Sequence, residues 1–561
     1  MSAAASVAPG TRTRPDSDSI AVGAGVAIVV ALLAVFVVVP LAAIFQLSFV
    51  TPEGVGLGNY ARYFASAKFT RIVGNSFAVA VTTTALAIVL AYALAYAMER
   101  TLMPGKAVFG MIVLLPLFAP SLVQALGILF LFGRNGVLNR TFDLGIDPYG
   151  FWGIVVSDVF YSLPHAYIIL SAALAAADAR LYESARMLGA TSGRIFRTIT
   201  LPATKYGLLS ATFVVFTIVI TDFGNPMVIG GDYGVLATEI YNQVSGQGNL
   251  TMGAVIGVLL LMPAALAVIL EKWIMRTSHA TVTAQSQPLV FTRRKARDGI
   301  ALAYAAILCG TLLLIVAVVL VASFVTLWPY NLHFSLRHYR FEVQQGLDPL
   351  WTSIWVSLMA AALGVLVTVA AACLARRLGG VTARILYFLS IVPAAVPGMV
   401  LGLGYILVFN DPRNPLEFLY GTVVILALCT VYHYHAQGYL IAATGLNQVS
   451  RVFDEASTSL GASFLRTLRA VTLPIIAPAI LSIAVFFFVR SMVTLSALIF
   501  IVTPKTQVAA VSVLLLDDSG NQNQAAAYSV CIMLLVAVAL LLFHGLVAWL
   551  RRHINTPVVA G

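Results

Sequence analysis

Few residues of this 561-residue chain can do polar chemistry at depth, and each has to be weighed against its apolar surroundings. Arg490 sits inside the apolar run 476–502. A guanidinium at the centre of a bilayer costs about 2.5–3.5 kcal/mol on insertion scales. Two roles suit it: holding an anion through paired N–H donors, or pairing with a carboxylate or backbone carbonyls of its own protein. Asp222 opens the stretch Asp222-Phe223-Gly224-Asn225-Pro226, with Gly230-Gly231-Asp232 beyond. Gly and Pro at that depth fit a broken helix lining a cavity or an outer loop. Arg490, Asp222 and Asn225 are therefore the candidates for lining a polar path at depth. His433 and His435 stand two apart, so on a helix they point about 200° from each other and cannot easily share a metal ion. The cysteines, Cys309, Cys373, Cys429 and Cys531, lie in apolar runs with no metal or disulfide spacing. No metal site, cofactor site or nucleophile–base pair stands out. The single Gly-Lys, Gly105-Lys106, is followed by Ala107, so a G-x-x-x-x-G-K-[ST] phosphate loop is lacking.

The elements that must position these residues are membrane helices. Sixty per cent of the chain is hydrophobic and 10% charged. Ordinary soluble domains carry roughly 25% charge. The apolar residues come in runs of bilayer-spanning length, without the ten-residue alternation of a membrane barrel. The sequence predicts an all-α polytopic protein with twelve spans. Six lie near 20–49, 72–98, 107–132, 151–177, 207–229 and 251–274. Six more lie near 300–325, 353–375, 383–409, 418–443, 476–502 and 526–550. Residues 1–19 read as a disordered tail, 275–299 as a polar linker and 551–561 as a second tail. With the N-terminus inside, inside segments hold 23 Lys and Arg and outside segments nine. That asymmetry puts both termini in the cytoplasm. The net charge of +11 is thus a topology signal, and no nucleic-acid partner is expected.

The two sets of spans repeat each other. Leu115-Pro116-Leu117-Phe118-Ala119-Pro120, with Gly127 beyond, matches Val392-Pro393-Ala394-Ala395-Val396-Pro397, with Gly404 beyond, at an offset of 277. Residues 181–202 match 453–474 at nine of 22 positions without a gap, at an offset of 272. Both copies fall between the fourth and fifth spans, so the halves 20–274 and 300–550 run parallel and face each other across a central path. Each copy reads as a short helix ended by glycine, Gly189 or Gly461. A second segment follows, and Leu201-Pro202 or Leu473-Pro474 opens the next span. Arg490 has Ile218 as its twin, so any contact it makes is one-sided. Sixteen residues past Pro474, it stands about 24 Å up a straight helix, toward the outer side.

The residues Glu183-Ser184-Ala185, Gly189, Leu201-Pro202 and Glu455-Ala456-Ser457, Gly461, Leu473-Pro474 resemble the "EAA" loop of binding-protein-dependent ABC importer permeases of the MetI-like, fused two-domain type. The resemblance covers about 70–270 and 350–550; Ser184 and Ser457 depart from it by replacing alanines. It implies that each loop is a coupling helix seated in an ATPase subunit, with Glu183 and Glu455 at the contact. It further implies two ATPase copies, a periplasmic or lipid-anchored substrate-binding protein and a bacterial inner membrane. ATP would be hydrolysed by the partner, and this chain would be no enzyme. Residues 222–247 resemble permeases for ferric iron and for 2-aminoethylphosphonate. Met492 to Ala497 and Asp517-Asp518-Ser519-Gly520 look more like the phosphonate group. From another class, an ion-gradient-driven secondary transporter would also have two six-span halves. The paired loops and the scarcity of intramembrane carboxylates count against it.

Overall fold

Helices make up nearly all of the computed structural model, which describes residues 17–278, 293–341, 346–378 and 380–554. The tail up to Asp16, the linker 279–292 and the end from Asn555 lie outside the described residues. In the first half six helices are long and apolar enough to cross a membrane: Ile20–Phe49, Ala67–Arg100, Leu122–Phe142, Phe151–Ala175, Ser192–Ile220 and Leu250–Met275. The second half has three such helices, Lys295–Ser323, Asp348–Arg377 and Gln522–Trp549. Two bent pairs join them: Gly380–Ala395 with Gly398–Phe409 at 107°, and Phe464–Ile475 with Ala477–Val493 at 75°.

Among the described residues this makes nine spans, or eleven if each bent pair counts once, where the sequence predicts twelve. The difference lies at 418–443. There Val423–His433 and His435–Asn447 meet at Tyr434, whose φ of −102° and ψ of 10° interrupt the helix. Each piece is too short to count as a span.

Repeated prolines break the third span of each half in the same place. Leu115–Phe118 and Val392–Ala395 tighten into 3-10 turns. Ala119 (φ −121°, ψ 148°) and Val396 (φ −96°, ψ 114°) then swing to extended backbone. Pro120 or Pro397 follows, and a proline ring disfavours helical backbone in the residue before it.

Each half also lends its first helix to the other. A Cβ added at Gly127 would stand 2.5 Å from the carbonyl oxygen of Ile315, in the first helix of the second half. At Gly404, its repeat twin, a Cβ would stand 2.8 Å from the carbonyl oxygen of Pro40, in the first helix of the first half. Lipid gives helices little hydrophobic reason to associate, so close backbone approach over small residues carries the packing. Gly127→Leu or Gly404→Leu is expected to cost about 1–3 kcal/mol through overpacking. The check is the thermal midpoint of the purified protein in detergent, and an unchanged midpoint would contradict the exchange. Small antiparallel hairpins follow the first helix of each half: Val50–Thr51 with Gly54–Val55, and Val325–Leu327 with Asn331–Phe334.

Candidate functional site

A cavity of about 560 Å³ lies between the halves and is lined by repeat-equivalent positions. His165 and Gln437, Phe213 and Val485, Leu117 and Ala394, and Ile218 and Arg490 all line it, each pair at the offsets found in the sequence. A space lined by twin positions of two parallel repeats lies on their common axis, where a central path must run. Glu271 and Lys272, an ion pair at 3.3 Å, stand in its wall near the end of Leu250–Met275 on the side of the two loops. A smaller adjoining space holds Tyr161, Asp222, His433 and Arg490, together with the broken backbone of residues 393–398. Irregular backbone at this depth is tolerated where it lines such a space.

Arg490 reaches both spaces. Its guanidinium carbon lies 4.7 Å from the centroid of the Tyr434 ring, a cation–π distance, with the phenol oxygens of Tyr161 and Tyr434 beside it. Among the described residues no ion pair joins it to a carboxylate. The helix break at Tyr434 brings that ring under the arginine. Phe487, one turn before Arg490, is wedged between Gly364 and Gly438, where added Cβ atoms would meet its ring at 2.4 and 2.7 Å. This wedge fixes the rotation of the helix carrying Arg490. The chain turns by 75° between Ile475 and Ala477, so the rise from Pro474 to Arg490 does not run along one straight helix; the helix carrying Arg490 starts at Ala477.

Asp222 and Asn225 belong to a second polar group, in the first half. The Asn225 side-chain amide donates to Asp158 Oδ1 at 2.8 Å, and its backbone N–H donates to Asp222 Oδ2 at 3.0 Å. The Asn225 side-chain oxygen accepts from the backbone N–H of Ala125 at 3.2 Å. Ala125 lies in the first turn of the helix restarting after Pro120, where amides lack helical partners. Asn225 thus ties the broken third span to two carboxylates. The twins of Asp158, Asp222 and Asn225 are Thr430, Thr494 and Ala497, so the acidic group is confined to the first half and the arginine to the second. Asn225→Leu should leave buried donors and acceptors without partners, at about 1–3 kcal/mol. Destabilisation in detergent is the expected reading, and wild-type stability would show that the link carries no weight. His433 lines the smaller space, whereas His435 is buried with its ring stacked on Tyr432 and Tyr439 at 6.0 and 6.5 Å. No group of three or more metal-ligating side chains occurs among the described residues.

The two loops form the other candidate site. Ala179–Met187 and Arg451–Ser459 are short helices on the same side of the molecule. Gly189 (φ +73°) and Gly461 (φ +71°) end them in the left-handed region open to glycine. Thr191 and Ser463, twins, cap the segments that follow by accepting from the N–H of Arg194 and Arg466. Widened turns at Phe196–Thr200 and Leu468–Thr472 then lead into Leu201-Pro202 and Leu473-Pro474. Glu183, Ser184, Glu455 and Ala456 are exposed, while Ala185 and Ser457 are half-buried. Beside them Met187, Leu188 and Leu460 are 91%, 87% and 86% exposed. Large apolar side chains this exposed on a charged loop are compatible with an interaction surface.

Sequence reasoning missed Asp158, Tyr161, Tyr434 and Gln437. Asp158 carried a signal, an acid within an apolar run. The others look like ordinary helix residues until the halves are brought together.

Two parallel helical repeats around an axial cavity, each with a protruding helix–turn–helix loop, define a membrane permease. The chain belongs to the family described as binding-protein-dependent transport system inner membrane component, whose pattern it matches twice, at residues 97–279 and 362–556. It is an ABC importer permease, the membrane-spanning transport component. It is 30% identical to the ferric transport system permease protein FbpB of Actinobacillus pleuropneumoniae, over 96% of this chain and 80% of that one. A putative ferric transport system permease of Haemophilus influenzae is also 30% identical, over 86% and 78%. A putative 2-aminoethylphosphonate transport system permease, PhnV of Salmonella choleraesuis, is 28% identical over 42% of this chain and 89% of that one. A solved bacterial ABC transporter involved in alginate import aligns with 47% of this chain and 96% of its own at a TM-score of 0.40 and 20% identity.

Proposed function

We propose that this permease moves a phosphonate of the 2-aminoethylphosphonate type across a bacterial inner membrane, with both termini in the cytoplasm. One chain does the work of a permease pair. Each loop docks one copy of an ATPase subunit, two in all, and a periplasmic or lipid-anchored substrate-binding protein delivers the cargo. The observation that carries the cargo reading is Arg490 on the axial cavity, with phenols and an amide near it and, among the described residues, no ion-paired carboxylate. A guanidinium matches phosphonate oxygens in bidentate fashion. A second reading, ferric import, is favoured by the likeness to the two ferric permeases. A bare ferric ion would be repelled by Arg490, so this reading requires the metal to travel inside an anionic ligand shell.

The test reconstitutes the chain in proteoliposomes with a cognate ATPase and substrate-binding protein. Uptake of 2-aminoethylphosphonate is compared with uptake of ferric iron, with and without ATP. ATP-dependent phosphonate uptake is the expected result. Iron uptake alone would replace the first reading by the second. Uptake that survives ATP removal while an ion gradient persists would overturn both in favour of a secondary transporter.

A further inference from the structure

One arginine in each half ties the docking loop to the membrane spans, and the two ties are chemically different. Arg100 ends the second span of the first half, Ala67–Arg100. Its Nη2 donates to the carbonyl of Leu174, at the end of the fourth span, at 2.8 Å, and to the Tyr182 hydroxyl at 3.3 Å. Its guanidinium carbon lies 4.9 Å from the centroid of the Tyr182 ring. Tyr182 is on the docking helix, and its hydroxyl donates onward to Thr200 Oγ1, at the entrance to the fifth span, at 3.1 Å. Arg376, near the end of Asp348–Arg377, repeats the arrangement. It donates to the carbonyls of Leu446 and Val449 and, at 2.9 Å, to Asp454 Oδ2 on the second docking helix. Leu174 and Leu446 stand 272 residues apart, as do Tyr182 and Asp454. The arginines therefore grip the same two points in each repeat.

The surroundings differ as much as the partners. Arg100 and Tyr182 are 5% and 4% exposed. The Arg376 and Asp454 side chains are 17% and 35% exposed, and the pair lines a cavity of about 160 Å³ that also holds Arg377 and Glu455. The first grip is dry and neutral on one side; the second is an ion pair open to water. Salt screens the second and hardly touches the first, because only exposed charges lose their attraction within a Debye length of about 8–10 Å.

We infer that Arg100 and Arg376 are positioning residues that carry movement of each docking helix to the second and fourth spans, and that the two docking sites are unequal, the second loosening with salt. This rests on the reading of the loops as ATPase contacts. The test exchanges the partners in the full chain, reconstituted with its ATPase and binding protein. The measured quantity is cargo transported per ATP hydrolysed, between about 50 and about 500 mM salt. Wild type is expected to lose about threefold across that range, the size of a partly exposed ion pair. Asp454→Tyr, which copies the first grip, should flatten the profile. Tyr182→Asp, which copies the second, should steepen it. Arg376→Gln serves if Asp454→Tyr does not fold, and should flatten the profile at a lower ratio. Identical slopes in all forms would overturn the inference while leaving docking intact. Failure of the ATPase to co-purify with wild type would instead overturn the docking reading.

Discussion

Charge reversal at both loops, Glu183→Arg with Glu455→Arg, is expected to abolish uptake and uncouple ATP hydrolysis while the chain still inserts and folds. Both carboxylates are exposed, so the membrane core does not depend on them. Each stands close to strongly exposed apolar side chains, Met187 and Leu188 in one loop and Leu460 in the other. A docked ATPase would desolvate that surface. A charge that must be buried opposite the wrong partner costs about 2–5 kcal/mol. Two loops far apart should add nearly independently, enough to empty both docking sites. The checks are co-purification of the ATPase in detergent and ATP-dependent uptake in vesicles. Normal uptake by the double variant would remove Glu183 and Glu455 from the contact, and with them the docking role.

Arg490→Ala should reduce uptake of an anionic cargo about 100-fold. A bidentate, charge-assisted contact contributes about 3 kcal/mol, and each 1.4 kcal/mol is a factor of about ten. Tyr434 stacks on the guanidinium, so Arg490→Lys is expected to recover only part of the activity: a lysine keeps the charge and loses the planar fork. ATPase co-purification should stay as in wild type, because Arg490 lies on the axial cavity, away from the loops. Unchanged uptake by Arg490→Ala would assign the arginine to holding Tyr161 and Tyr434 in place, not to cargo.

Local features of both regions were legible because local chemistry enforces them. The glycine ends of the loops, the prolines that break the third spans and the twofold repeat each follow from residue type and spacing. The isolated arginine in an apolar run was legible for the same reason, since charge at that depth needs a cause. Features that depend on two distant segments were not. The break at Tyr434 splits into two short helices a span that hydropathy reads as one, because an apolar run says how much chain can cross, not whether its backbone stays helical. The exchange of first helices was hidden although Gly127 and Gly404 mark it; a glycine shows that something comes close without saying what. The Asp158–Asn225–Asp222 link joins residues more than 60 positions apart, beyond any spacing rule. The grips of Arg100 and Arg376 looked like topology charges at span ends until their partners, Tyr182 and Asp454, proved to be twins.

We propose that one chain supplies both halves of the permease and both docking sites. Native mass measurement of the detergent-purified complex with its ATPase tests this most directly. One copy of this chain with two copies of the ATPase is expected, falling to one ATPase when either Glu183 or Glu455 alone is reversed. Two copies of this chain around a shared ATPase pair, or a single ATPase on the wild-type chain, would contradict it.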